Sequence, residues 1–233
     1  MKTPDSHFYV QGITPGTLTL SEEESVHAIR VCRAREGDVL ELCDGEGHFA
    51  DGTVITADSR QCAVRVDSVQ SASYPRPGLS LGLACLKDEA NEEVAFHVAQ
   101  MNVGTITFLR TERSQEPKDS SLSRVVRRCE LKSLVSLKQS KKPWLTQIRG
   151  PVTLEDFLKD YHGDLVLCDI GGSDSAPETA GNVTILVGPE GGFSDREVEL
   201  IKNFKGGQVH LLKLGNTRLR ARTAAVVAIG KMI

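Results

Sequence analysis

Two stretches of the 233-residue chain combine glycine, charge and helix-start signals in ways that can do chemistry. In the first, the apolar run Ile185-Leu186-Val187 ends in Gly188-Pro189-Glu190-Gly191-Gly192. Ser194-Asp195-Arg196-Glu197 follows at once as a capping box, in which the serine and the glutamate satisfy each other's backbone N–H groups. Glycines at a strand end let a ligand approach the backbone, and exposed N–H groups there bind polar edges. The pattern is not G-x-G-x-x-G and no Walker lysine follows, which argues against a nicotinamide dinucleotide or a P-loop nucleotide. In the second stretch, Leu214-Gly215-Asn216-Thr217 leads through Arg218, Leu219, Arg220 and Arg222 into a helix predicted over Thr223–Ile233. Three arginines beside a helix start oppose the helix dipole, which favours acids there, and an anionic partner accounts for them. A plain connecting turn and a solvated basic surface are the competing readings of the two stretches.

The elements around these stretches divide the chain. Residues 1–72 read as a small β-rich domain: a capping box at Ser21 and Glu24 opens a helix to about Arg33, and strands follow at Val39–Cys43, His48–Thr56 and Gln61–Val69. Ser71–Gly78, with two prolines among small residues, is the linker candidate. Residues 73–233 alternate strands (Leu79–Leu86, Thr105–Leu109, Leu165–Cys168, Val183–Val187, Gln208–Leu212) with helical patterns, including a long helix from about Leu122. Such alternation predicts an α/β domain on a largely parallel sheet. The net charge of −3 hides two basic blocks of +7, at 110–149 and 201–233, beside segments of −6 (1–72) and −9 (150–200). That total excludes an indiscriminate polycation but not a confined basic surface for an anionic polymer. The six cysteines are scattered without C-x-x-C spacing, so reduced thiols are expected rather than a disulfide framework or a metal site. With no apolar h-region at the N-terminus and no run long enough for a bilayer, a cytoplasmic protein is expected.

Together the motifs resemble the RsmE family of 16S ribosomal RNA uracil-N3 methyltransferases, in the SPOUT superfamily. The resemblance rests on His7-Phe8-Tyr9-Val10, on His27 to Arg33 with Gly37-Asp38, and on Asp44-Gly45-Glu46-Gly47. It continues through Thr111-Glu112-Arg113-Ser114, Arg128, Gln139-Ser140, Gly188 to Phe193, and Leu214-Gly215 with Leu219-Arg220. It implies an N-terminal PUA-like β-barrel, a C-terminal α/β domain with a deep trefoil knot, a homodimer, and ribosomal RNA or the small subunit as partner. It also implies S-adenosylmethionine, held by Leu186, Val187, Gly188, Pro189, Glu190, Gly191, Gly192, Leu214, Gly215, Asn216, Arg218, Leu219 and Thr223.

On that reading Arg220 and Arg222 stabilise charge developing on the base, and Glu190 acts as base, complements the sulfonium, or caps loop N–H groups. No metal is required. Arg30, Arg33, Arg113, Arg124, Arg128, Lys138 and Lys142 are the expected RNA contacts. The chain departs from the family at His97–Asn102, at Val135-Ser136, at Lys142, and at Arg222, where a cation stands in place of a glutamate. A non-catalytic RNA- or ribosome-binding descendant and a methyltransferase for another nucleotide are the alternatives.

Overall fold

The structure is a computed structural model and describes residues 7–73, 78–87, 89–114, 119–179 and 181–233. These form two compact units. One is the chain up to Pro75 together with Val135–Leu145; the other is Arg76–Leu134 with Thr146–Ile233.

The first unit is built on a six-stranded sheet of β1 (Phe8–Tyr9), β2 (Gly16–Thr19), β3 (Val39–Cys43), β4 (His48–Thr56), β5 (Ala63–Val66) and β6 (Gln70–Ser71). The order is β1-β3-β4-β5-β2, with β6 on β4. Only β1 and β3 run parallel. Alternation in β4 and β5 turns Ala50, Val54, Val64 and Val66 inward onto Phe8, Leu40 and Leu42. The predicted Ser21–Arg33 helix is shorter: α1 (Glu22–Val26) passes into a π turn at His27–Val31, and Arg33 lies at φ 57°. Ser21 accepts from the Glu24 N–H at 3.2 Å, but the Glu24 carboxylate does not return the bond. It pairs instead with Lys138 at 2.6 Å, in a nearly buried contact.

Val135–Leu145 belongs to this unit through such contacts. The His7 N–H donates to the Lys138 carbonyl, Lys141 meets Glu41 at 2.7 Å, and Trp144 bridges Glu46 and lies over Gly47. Lys142 is only 6% exposed. Burial pushes its ammonium from 10.5 down to about 8. Between those values the unfolded chain binds the extra proton, so Lys142 makes stability rise as pH climbs from about 8 to 10.5. Cys43, Cys129 and Cys168, raised by burial to about 12, act oppositely above pH 9. Unfolding free energies from urea titration, wild type minus Lys142→Met, should therefore rise between pH 7.5 and 10 by roughly 2–3 kcal/mol. A pH-independent difference would show that Lys142 keeps its ordinary proton affinity.

The second unit carries β7 (Leu79–Ala84), α2 (Ala90–Val98), β8 (Thr105–Arg110), α3 (Asp119–Ser140, its last turns in the first unit), β9 (Gln147–Thr153) and α4 (Leu154–Asp160). Then follow β10 (Asp164–Ser173), β11 (Val183–Val187), α5 (Asp195–Lys202), β12 (Val209–Leu212) and α6 (Ala221–Met232). All six strands are parallel, in the order β12-β10-β11-β7-β8-β9. Leu81, Leu83, Ile106 and Ile185 pack with α2, α6 and the Val125–Cys129 side of α3. Leu109, Leu165, Leu167 and Leu186 pack with α4 and α5 in a separate cluster. Covered on both faces, β11 is buried at every residue, Thr184 included, as expected of a central strand in a parallel sheet. β9 and α4 are not predicted by the sequence pattern. Pro151 fits within β9 because β9 is an edge strand, where a residue lacking an N–H is tolerated.

Candidate active site

The carboxyl ends of β11, β10 and β12, three neighbours in the sheet, surround a cavity of about 430 Å3, a size suited to a small-molecule ligand. The β11 loop supplies Val187, Gly188, Pro189, Glu190, Gly192 and Phe193. It turns tightly, with the Gly192 N–H on the Pro189 carbonyl at 2.8 Å and Gly192 at φ 70°. A Cβ at Gly188 would stand 3.1 Å from the Phe193 backbone nitrogen, tighter than an ordinary contact, so the loop packs closely at this glycine. α5 then starts from the predicted capping box, with both reciprocal bonds present. Its Glu197 is 2% exposed and accepts from the Ser194 N–H at 2.8 Å through one oxygen and from the Glu112 N–H at 2.8 Å through the other.

The β12 loop supplies Leu214, Gly215, Thr217, Arg218 and Leu219, and Ala221 and Ala224 of α6 line the cavity beyond it. Arg218 donates to the Glu190 carbonyl at 2.7 Å and so ties the two glycine loops together. The third wall is the end of β10, with Leu167, Cys168, Asp169 and Ile170, the last 71% exposed. Its residues carry no local signal; their place follows from β10 lying between β11 and β12.

Four of the expected donor-site residues do not line this cavity. Leu186 is wholly buried in the core between the sheet and α4–α5, because strand side chains alternate and its neighbours take the outlet. Gly191 faces the Arg113 side chain at 3.3 Å, and Asn216 and Thr223 point to solvent. Val198, Ala221, Ala224 and the β10 end are the lining residues that sequence reasoning missed, while Phe193 and Thr217 lie in the two expected loops.

The three arginines take separate roles. Arg218 is bound to the loop carbonyl, and Arg222 donates to Glu93 of α2 at 2.6 Å, which holds its guanidinium still more firmly protonated. Arg220, at the N-cap of α6, is exposed between two lining residues and has no ion pair among the described residues. The Glu190 carboxylate is exposed on the cavity wall and accepts no hydrogen bond among the described residues. Loop capping is thus not its role here. Among the described residues no group of three His, Cys, Asp or Glu side chains can hold a metal ion.

The expected RNA contacts scatter. Arg30, Arg33 and Arg124 are exposed, Arg30 with a 3.4 Å contact to Ser59. Arg128 is paired with Glu92 at 2.7 Å, and Arg113 donates to the carbonyls of Gly191 and Phe193. Lys142 is buried and Lys138, largely covered, is paired with Glu24, because the 135–145 segment belongs to the first unit.

Residues 74–233 match the family model of the RNA methyltransferase domain. The chain belongs to that family. Residues 20–67 match the PUA domain of RNA methyltransferases. The chain is 28% identical over 238 residues to ribosomal RNA small subunit methyltransferase E of Mycobacterium bovis, covering 96% of this chain and 89% of that protein. A Legionella pneumophila structure with bound S-adenosylmethionine is similar at 28% identity and TM-score 0.80, over 96% of this chain and 95% of that one. The ribosomal RNA small subunit methyltransferase E of Neisseria gonorrhoeae, also solved with S-adenosylmethionine, shares the fold with a TM-score of 0.86 at 18% identity, over 98% and 97%. Among the described residues no helix is long and apolar enough to cross a membrane.

Proposed function

We propose that the chain methylates N3 of a uridine in 16S ribosomal RNA, with S-adenosylmethionine as methyl donor. The observation that carries this reading is the cavity between two tied glycine loops, with an uncommitted arginine at its rim, in a member of the RNA methyltransferase family. The residues fit the donor. The glycine walls admit a flat adenosine against backbone, while Asp169 offers a carboxylate to its cationic groups and Arg218 a cation to its carboxylate. When bound, it supplies an electrophilic methyl group.

The rest falls to the chain. Uracil N3 is a poor nucleophile while protonated, and Glu190 stands on the cavity wall with no competing hydrogen bond, placed to accept that proton. Arg220 stabilises the negative charge that spreads over the base as the proton leaves. Arg222, neutralised by Glu93, does not share this task; the cation at 222 is met within the fold. A paired uridine must first be splayed from its helix. Of the expected contacts, exposed Arg30, Arg33 and Arg124 remain for the phosphate backbone, so RNA affinity should fall steeply with salt. The reading carries with it a deep trefoil knot, a homodimer and a cytoplasmic setting.

Calorimetric titration with S-adenosylmethionine should show one saturable site per chain. Ribosomal RNA from cells lacking the gene should lose one N3-methyluridine, restored with the gene. No heat of binding would defeat catalysis, and an unchanged methylation map would defeat the uridine assignment.

A further inference from the structure

We propose that Arg113 is a positioning residue that clamps the donor loop, rather than an RNA contact; this rests on the methyl-donor reading of the cavity. One Nη atom of Arg113 donates to the Gly191 carbonyl at 3.0 Å and to the Phe193 carbonyl at 3.2 Å. Its aliphatic stem lies where a Gly191 side chain would stand, with Cδ at 3.3 Å and Cβ at 3.4 Å. The carbonyls of Pro189 and Glu190 are taken by the Gly192 N–H and by Arg218. Four carbonyls between 189 and 193 are therefore committed, two of them to Arg113, and the loop is held in one shape before any ligand arrives.

The clamp is itself braced. The turn Thr111–Ser114 that presents Arg113 is closed by Ser114, whose hydroxyl accepts from the Thr111 N–H at 3.1 Å and donates to the Thr111 carbonyl at 2.8 Å. The buried Glu197 carboxylate joins that turn to α5 by accepting from the Glu112 and Ser194 N–H groups. Arg196 adds an outer strap to Glu112 at 3.0 Å and Glu155 at 2.9 Å. The loop after β8 and the loop after β11, far apart in sequence, thus act as one body. A preformed loop lowers the ordering cost of binding, so its benefit falls on donor affinity and not on the methyl-transfer step.

Arg113→Ala should weaken S-adenosylmethionine binding, and raise its KM, about tenfold. That is fewer than two full charge-assisted hydrogen bonds are worth, because the guanidinium is exposed. At saturating donor, kcat should stay within about threefold and RNA affinity should be unchanged, as should the thermal midpoint within a few degrees. Arg113→Lys, which keeps a donor within reach of one carbonyl, should recover part of the affinity. Gly191→Ala, which crowds the arginine stem, should weaken donor binding in the same sense while leaving Arg113 in place.

Donor affinity unchanged in Arg113→Ala would overturn the clamp, and a selective loss of RNA affinity would return Arg113 to the RNA contacts. A fall in kcat equal to the loss of donor affinity, or no gain from lysine, would also overturn it. Failure of the wild type to bind S-adenosylmethionine would instead overturn the donor reading on which the clamp rests.

Discussion

Replacing Arg220 by alanine should lower kcat about 100-fold while leaving S-adenosylmethionine affinity within about threefold. The split follows from geometry. Arg220 stands at the N-cap of α6, flanked by cavity-lining Leu219 and Ala221, yet among the described residues its side chain makes no hydrogen bond or ion pair to either glycine loop. Its charge is free for a group arriving from outside, and a preorganised cation beside developing negative charge is worth two to three powers of ten. Arg222→Ala should change kcat far less, because that guanidinium is held by Glu93 on the neighbouring helix and is half in solvent. Single-turnover kinetics at saturating donor, with calorimetry for affinity, reads both. If Arg220→Ala loses donor affinity and keeps its turnover, Arg220 belongs to the donor site instead.

Gly47→Ala should destabilise the first unit by about 3–5 kcal/mol, enough to lower its thermal midpoint by roughly 15 °C or more. Gly47 lies at φ 97°, a conformation that strains any residue with a Cβ. An added Cβ would also fall 2.3 Å from Trp144 Cζ2 and 2.7 Å from two further ring atoms, which cannot yield without moving the whole indole. Trp144 is the single tryptophan of the chain and lies in the first unit, so its fluorescence follows that unit alone. Its emission should shift to the red and its transition should move down. S-adenosylmethionine affinity should hold, since every cavity residue belongs to the second unit. An unchanged tryptophan transition would mean the indole does not pack against this glycine.

The residues themselves determined much of this site. Ser194 and Glu197 specify a helix start by local hydrogen bonds alone, and the apolar run before Gly188 specifies a strand buried on both faces. Glycines between such elements mark a backbone that something must approach. These signals lie within a few residues of one another, so they survive without knowledge of the fold. The same holds for the three arginines at the start of α6, whose conflict with the helix dipole is legible in sequence.

What each arginine does was not legible, because partners arrive from elsewhere in the chain. Glu93 neutralises Arg222 across 129 positions, and Arg218 reaches Glu190 across 28. Lys138 and Lys142 count as cations in any sum of charge, yet in the first unit Lys138 is paired with Glu24 and Lys142 is buried. Asp169 and the β10 end enter the cavity for a reason of strand order, since β10 pairs between β11 and β12. The sequence alone determined which loops are free to bind. Tertiary structure decided which charges remain to bind with, because a charge is available only after its long-range partners have been counted.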